Sequence, residues 1–115
     1  MSYTKQKFSK MENNERYNYY KRLHPEWSEE QIWTAVSIDM QTANTIKKGG
    51  EDIDVNDENV IRSILKSAQQ WLEEVLPAIY RKVADFFRRA FEWIKDGIHN
   101  ILDWILCKIE DEPFF

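Results

Sequence analysis

The sequence predicts an all-α protein. The expected form is a small helical bundle, with two N-terminal helices packed on a long, kinked, amphipathic C-terminal helical region. Three observations carry that expectation. Glycine and proline number three each in 115 residues, too few for the turns of a sandwich or barrel. Apolar residues make up 43% of the chain and charged residues 31%, enough to build a core, which argues against wholesale disorder. An apolar residue recurs every three or four positions from Ile61 to Ile109, the period of a helix with one buried face.

Residues 1–12 are basic and polar, show no periodic pattern, and read as a flexible tail before a single helical domain spanning 13–115. The first helix is expected over 14–24. Asn13 or Asn14 can cap it, and Tyr17, Tyr19, Tyr20 and Leu23 give it apolar surface. His24-Pro25 ends it, because the residue before proline is pushed out of the helical region. The second helix is expected over 29–48. Ser28-Glu29-Glu30-Gln31 has the form of a capping box, with Trp27 and Ile32 placed to staple it. Ile32, Val36, Met40 and Ala43 follow at helical spacing and are expected to pack on the C-terminal region, with Trp27 and Trp33 as anchors. Gly49-Gly50 stops the helix.

An acidic connector, residues 51–56, leads into helices expected over 57–76 and 78–110. Pro77 removes a helical hydrogen bond and is the expected kink or break; Gly97 is a second weak point. A continuous helix from Asp57 to Glu110 would be roughly 80 Å long. A compact chain of this size has a radius of gyration near 13 Å, hence a diameter of roughly 35 Å. The stripe must therefore fold back on itself, pair with another chain, or meet a membrane.

Function is read from that choice. Exposed apolar patches beyond a few hundred Å² generally mark interaction sites. The leading expectation is a small, non-enzymatic interaction protein that self-associates or binds a partner protein through its C-terminal stripe. The residues expected to carry it are Phe87, Phe91, Ile94, Ile98, Ile101, Trp104 and Ile105. Arg81, Lys82, Arg88, Arg89 and Lys95 flank the apolar arc, with acids along the middle of the polar face. That charge geometry resembles the lipid-binding amphipathic helices of exchangeable apolipoproteins. It implies an alternative: residues 78–109 lying in a membrane interface, with those five cations at headgroups. The commoner reading of such cations is salt bridging along the helix, here to Asp85 and Glu92. A weaker alternative is an inhibitor or adaptor that presents the acids of residues 51–58.

Charge disfavours a nucleic-acid partner, since the chain carries −4 overall. The charge is uneven, +4 over residues 1–24, −7 over 25–60 and −1 over 61–115. No cofactor or metal site is expected. His24 and His99 have no partner at metal-ligand spacing. Asp52, Asp54 and Asn56 open like a calcium loop, but its sixth position is Asp57 and its twelfth Ser63, where glycine and glutamate are needed. Cys107, the single cysteine, lacks a catalytic setting, and no glycine-rich phosphate loop or small-molecule site is implied. No targeting or membrane-spanning segment is visible, so the cytoplasm is the expected location, with membrane association under the alternative reading.

Overall fold

The computed structural model describes the backbone of residues 2–94 and 101–111, and the side chains of 13–50, 52–94 and 102–110. The described chain is all-helical, with no strand. Five helices follow in order: α1 (Ser2–Leu23), α2 (Glu29–Gly49), α3 (Glu58–Val75), α4 (Pro77–Trp93) and α5 (Ile101–Asp111), with one 3₁₀ turn, Gly50–Asp52, after α2.

Local chemistry fixes most of these ends. Ser28 Oγ accepts from the Gln31 amide at 3.3 Å, and Gln31 Oε1 accepts from the Ser28 amide at 2.7 Å. Both are donors that a helix start leaves unpaired. Gly50 leaves the helix at φ 67°, a conformation costly for residues with a Cβ. Asp57 caps α3 by accepting from the amides of Asn59 and Val60.

Pro77 divides the C-terminal region. α3 ends at Val75, Leu76 leaves helical geometry at φ −132° and ψ 65°, and Pro77 is the first residue of α4. At that position its missing N–H removes no helical bond. The Leu76 amide donates to Leu72 O at 2.8 Å, and the Tyr80 amide to Leu76 O at 2.9 Å, holding the corner from both sides. α4 folds back against α3. The radius of gyration is 13.8 Å and the longest dimension 38 Å. Among the described residues the buried part of the stripe is thus covered by its own chain. Gly97, the second expected weak point, lies outside the described residues.

α2 is the central helix and contacts α1, α3, α4 and α5. It is buried on most sides through Ile32, Ala35, Val36, Ile38 and Met40, but also through Thr34, Ser37 and Thr42. These hydroxyls donate to carbonyls one turn back, Thr34 to Glu30 O at 2.8 Å, Ser37 to Thr34 O at 2.8 Å and Thr42 to Ile38 O at 2.7 Å. Small polar residues can therefore enter the core without an unmet hydrogen bond.

Two expectations are corrected. α1 starts at Ser2, twelve residues before its expected start at 14. The segment lacks an apolar stripe, yet it contains neither proline nor glycine and is rich in Lys, Gln and Glu, which favour helix. Ala43 is exposed, while Ile32, Val36 and Met40 are buried as expected. By that point α2 has passed the end of the packed region, and its outer face borders an open cleft of about 590 Å³ with Glu15, Arg16, Tyr19 and Lys47.

Candidate interaction surface

The stripe residues expected to meet a partner are largely spoken for within the chain. Phe87 is 0% exposed, Ile94 4% and Ile105 1%. All three belong to the core shared by α2, α3, α4 and α5. These three are thus buried within their own chain, because the break at Pro77 turns α4 inward. Phe91 and Trp104 are half-buried against the same core. Ile98 and the side chain of Ile101 lie outside the described residues.

The flanking cations are also engaged in several cases. Lys82 Nζ donates to Glu30 Oε1 at 3.0 Å, joining α4 to α2. Arg88 pairs with Asp85 on its own helix, as helical salt bridging requires. The Arg89 guanidinium lies 6.0 Å and the Lys108 ammonium 5.0 Å from the Trp93 ring centroid, within reach of cation–π attraction. Arg81 is exposed, and Lys95 lies outside the described residues.

A different surface is assembled where α1, α2 and α3 meet. Tyr17, Trp33 and Trp71 come from the three helices in turn. The Tyr17 and Trp33 centroids are 4.8 Å apart, those of Trp33 and Trp71 6.1 Å, with tilted rings. All three are half-buried and pack against the core with one side. Val75 continues the row one turn beyond Trp71 and is 45% exposed. Each aromatic borders a buried stripe: Trp71 stands next to Leu72 on α3, and Trp33 next to Ile32 on α2.

One edge of this row is acidic. Burial raises the Tyr17 hydroxyl above its ordinary value, and the charges of Glu29 and Glu30 raise it further. Glu29 is exposed. Glu30 is nearly covered; burial works to raise its carboxyl, but its own backbone amide, the Lys82 ammonium and the Ser28 hydroxyl outweigh that and hold it below the usual range. Glu74, also exposed, follows Trp71 by one turn.

Sequence reasoning named Trp33 as an internal anchor and counted Trp71 within the stripe, so it missed the row. The signal was present: bulky aromatics at the margin of an apolar arc sit half in the core and half in water. At the cleft wall, burial raises both Asp39 and its neighbour Tyr20, and the Asp39 charge raises Tyr20 further. Arg16 lies 3.9 Å from Asp39 and partly offsets its burial.

The remaining candidates resolve locally. Asp54 Oδ1 accepts from the Asn56 amide at 2.9 Å, and Asp57 caps α3, so the acidic connector serves turn and cap. Cys107 is exposed on α5. His99 lies outside the described residues, whereas His24 stands beside Glu26, two residues on, and Glu110, which no local spacing announces. No helix among the described residues is long and apolar enough to cross a membrane. No protein-family model, curated protein or solved structure matches the chain.

Proposed function

We propose that this chain is a small, non-enzymatic helical interaction module that docks a basic amphipathic helix of a partner protein on the Tyr17–Trp33–Trp71 row. In this reading α3, α4 and α5 form one folded-back amphipathic region that α1 and α2 complete. The observation that carries it is a row of three half-buried aromatics from three helices, with Glu29 and Glu30 beside its Tyr17 end. Tyr and Trp dominate binding hot spots because they offer large, rigid contact area at low entropic cost. An apolar row edged by Glu29 and Glu74 complements a helix with an apolar face and lysines beside it. The rigid three-helix backing favours rigid docking over folding of the receptor.

The membrane reading needs the α4–α5 apolar face turned outward. That would uncover Val83, Phe86, Phe87, Ile94, Ile105 and Ile109, all buried. Lipid would receive those side chains, but the core they cover, including Ile32, Val36, Ile61 and Leu65, would face water, at roughly 1.5–3 kcal/mol each, comparable to the whole stability of a small domain.

The test is titration of the full chain with synthetic Leu/Lys and Leu/Glu amphipathic helices, read by Trp fluorescence and calorimetry. Binding of the Leu/Lys helix alone is expected, weakened at least tenfold by Trp71→Ser and by raised salt. Binding of both peptides, of neither, or undiminished binding by Trp71→Ser overturns the reading. Light scattering that gives a dimer dissolved by Trp71→Ser assigns the row to a second copy and overturns it too. So does salt-sensitive flotation with anionic vesicles that Trp71→Ser leaves intact.

A further inference from the structure

The fold brings Glu110 to His24 and Glu26, which are near neighbours in sequence. His24 and Glu26 lie in the turn between α1 and α2; Glu110 is near the end of α5. His24 Nδ1 stands 3.4 Å from Glu26 Oε1 and 3.5 Å from Glu110 Oε1. One ligand atom from each of the three lies within 4.8 Å of the others. Both histidine contacts exceed the roughly 2.7–3.2 Å of a well-formed N–H···O bond. A single Nδ1–H could not serve both carboxylates well in any case.

The two distances from the histidine nitrogen suit a shared ion. Ligands about 2.0–2.1 Å from a tetrahedral zinc ion stand about 3.4 Å from one another. The donor set fits as well. One imidazole and two carboxylates suit zinc and neighbouring transition metals, whereas magnesium and calcium prefer oxygen alone. Two glutamates also balance the charge of a divalent ion, leaving a neutral centre when the histidine is unprotonated.

The histidine is held from several sides. Its ring stacks on buried Trp27, with centroids 3.8 Å apart and planes within 4°. Its amide donates to Tyr20 O at 2.8 Å, and its carbonyl accepts from the Trp27 amide at 3.1 Å. Gln31 Nε2 donates to Ile109 O at 3.0 Å, which pins the residue before Glu110 to the start of α2. Glu26 and Glu110 are themselves exposed, so small side-chain rotations can close the set.

We propose that His24, Glu26 and Glu110 form a divalent transition-metal site, best suited to zinc, that staples α5 to the turn between α1 and α2. Three protein ligands leave a fourth position open to water. The site lies at the α1–α2 turn, and its test is independent of the peptide-docking row.

The experiment titrates the full chain with zinc sulfate by calorimetry, and with cobalt(II) chloride by visible absorption. One ion per chain is expected, with intense tetrahedral cobalt bands and little response to magnesium chloride. Glu110→Gln and His24→Asn each weaken zinc at least tenfold, while Cys107→Ser and His99→Asn leave it unchanged. Zinc also slows hydrogen exchange of the α5 amides in the parent and not in Glu110→Gln, a readout of the staple itself. Glu110 is half exposed, so Glu110→Gln keeps its helix content by circular dichroism even if His24→Asn does not fold. Absence of zinc binding overturns the proposal. So does binding that survives both ligand substitutions or is lost with Cys107→Ser.

Discussion

The two hairpins of this protein bury their helices by different means. In the α3–α4 hairpin each helix has one apolar face turned inward, through Ile61, Leu65 and Leu72 on one side and Val83, Phe87 and Ala90 on the other. In the α1–α2 hairpin the division fails. α1 is mostly polar along its length, whereas α2 is covered nearly all round from Glu30 to Thr42 and takes threonines and serine into the core. A helix at the rim needs one face, and a helix at the centre needs a way to be buried everywhere. Hydroxyls that bond one turn back provide it.

The largest effect that separates the hairpins is a core truncation. Phe87→Ala removes a fully buried ring from the α4 face, with an expected loss of about 3–5 kcal/mol. Leu23→Ala, at an exposed position on α1, is expected to cost under about 0.5 kcal/mol. Urea unfolding of both variants checks the pair. A Phe87→Ala loss under about 1 kcal/mol would show that the ring is not in the core. That outcome would restore it as a candidate contact for a partner.

The same contrast explains what was legible beforehand. Signals confined to a few neighbouring residues survive folding: Ser28 and Gln31 mark the start of α2, and Pro77 the break before α4. The stripe of α3 and α4 was legible for the same reason, since period alone defines it. What covers the stripe was not. Phe87 looks the same in sequence whether α2 or another protein packs on it, and only the long-range fold decides. The aromatic row needs residues 17, 33 and 71, and the histidine cluster needs residues 24 and 110. Neither is a spacing that a helix or a turn imposes. α1 was misplaced because polar composition was read as lack of structure, where helix propensity alone favours it.

A middle-sized effect sharpens the comparison from the polar side. Asn13 of α1 is buried, and neither its amide nitrogen nor its oxygen has a partner among the described residues. The buried hydroxyls of α2 all have one. An unmet buried amide costs about 1–3 kcal/mol, and an apolar side chain of similar size removes that cost. Asn13→Leu is therefore expected to raise the urea midpoint, while Thr34→Leu, which breaks a satisfied bond in a tight site, lowers it. A drop with Asn13→Leu would mean that the amide is paired in solution.

The smallest effect joins the two hairpins through Lys82 and Glu30, and its sign depends on pH. Glu30 is held below the ordinary carboxylate range, with Lys82 among the causes. A depressed folded value stabilises the fold above the unfolded value of about 4.3 and loses that contribution as pH falls through the folded one. Lys82 is more than half exposed, so solvent screening limits the expected loss in Lys82→Met to about 0.5–1 kcal/mol near neutral pH. The variant removes one of the influences that hold Glu30 down, leaving its own backbone amide and the Ser28 hydroxyl to oppose burial, so its carboxyl is depressed less. The gap between parent and variant should therefore be widest near pH 7 and close as pH falls below about 4. Urea midpoints measured across that range read the gap directly. A gap that stays constant with pH would assign the Lys82 contribution to its packed stem and remove Glu30 from the contact between α2 and α4.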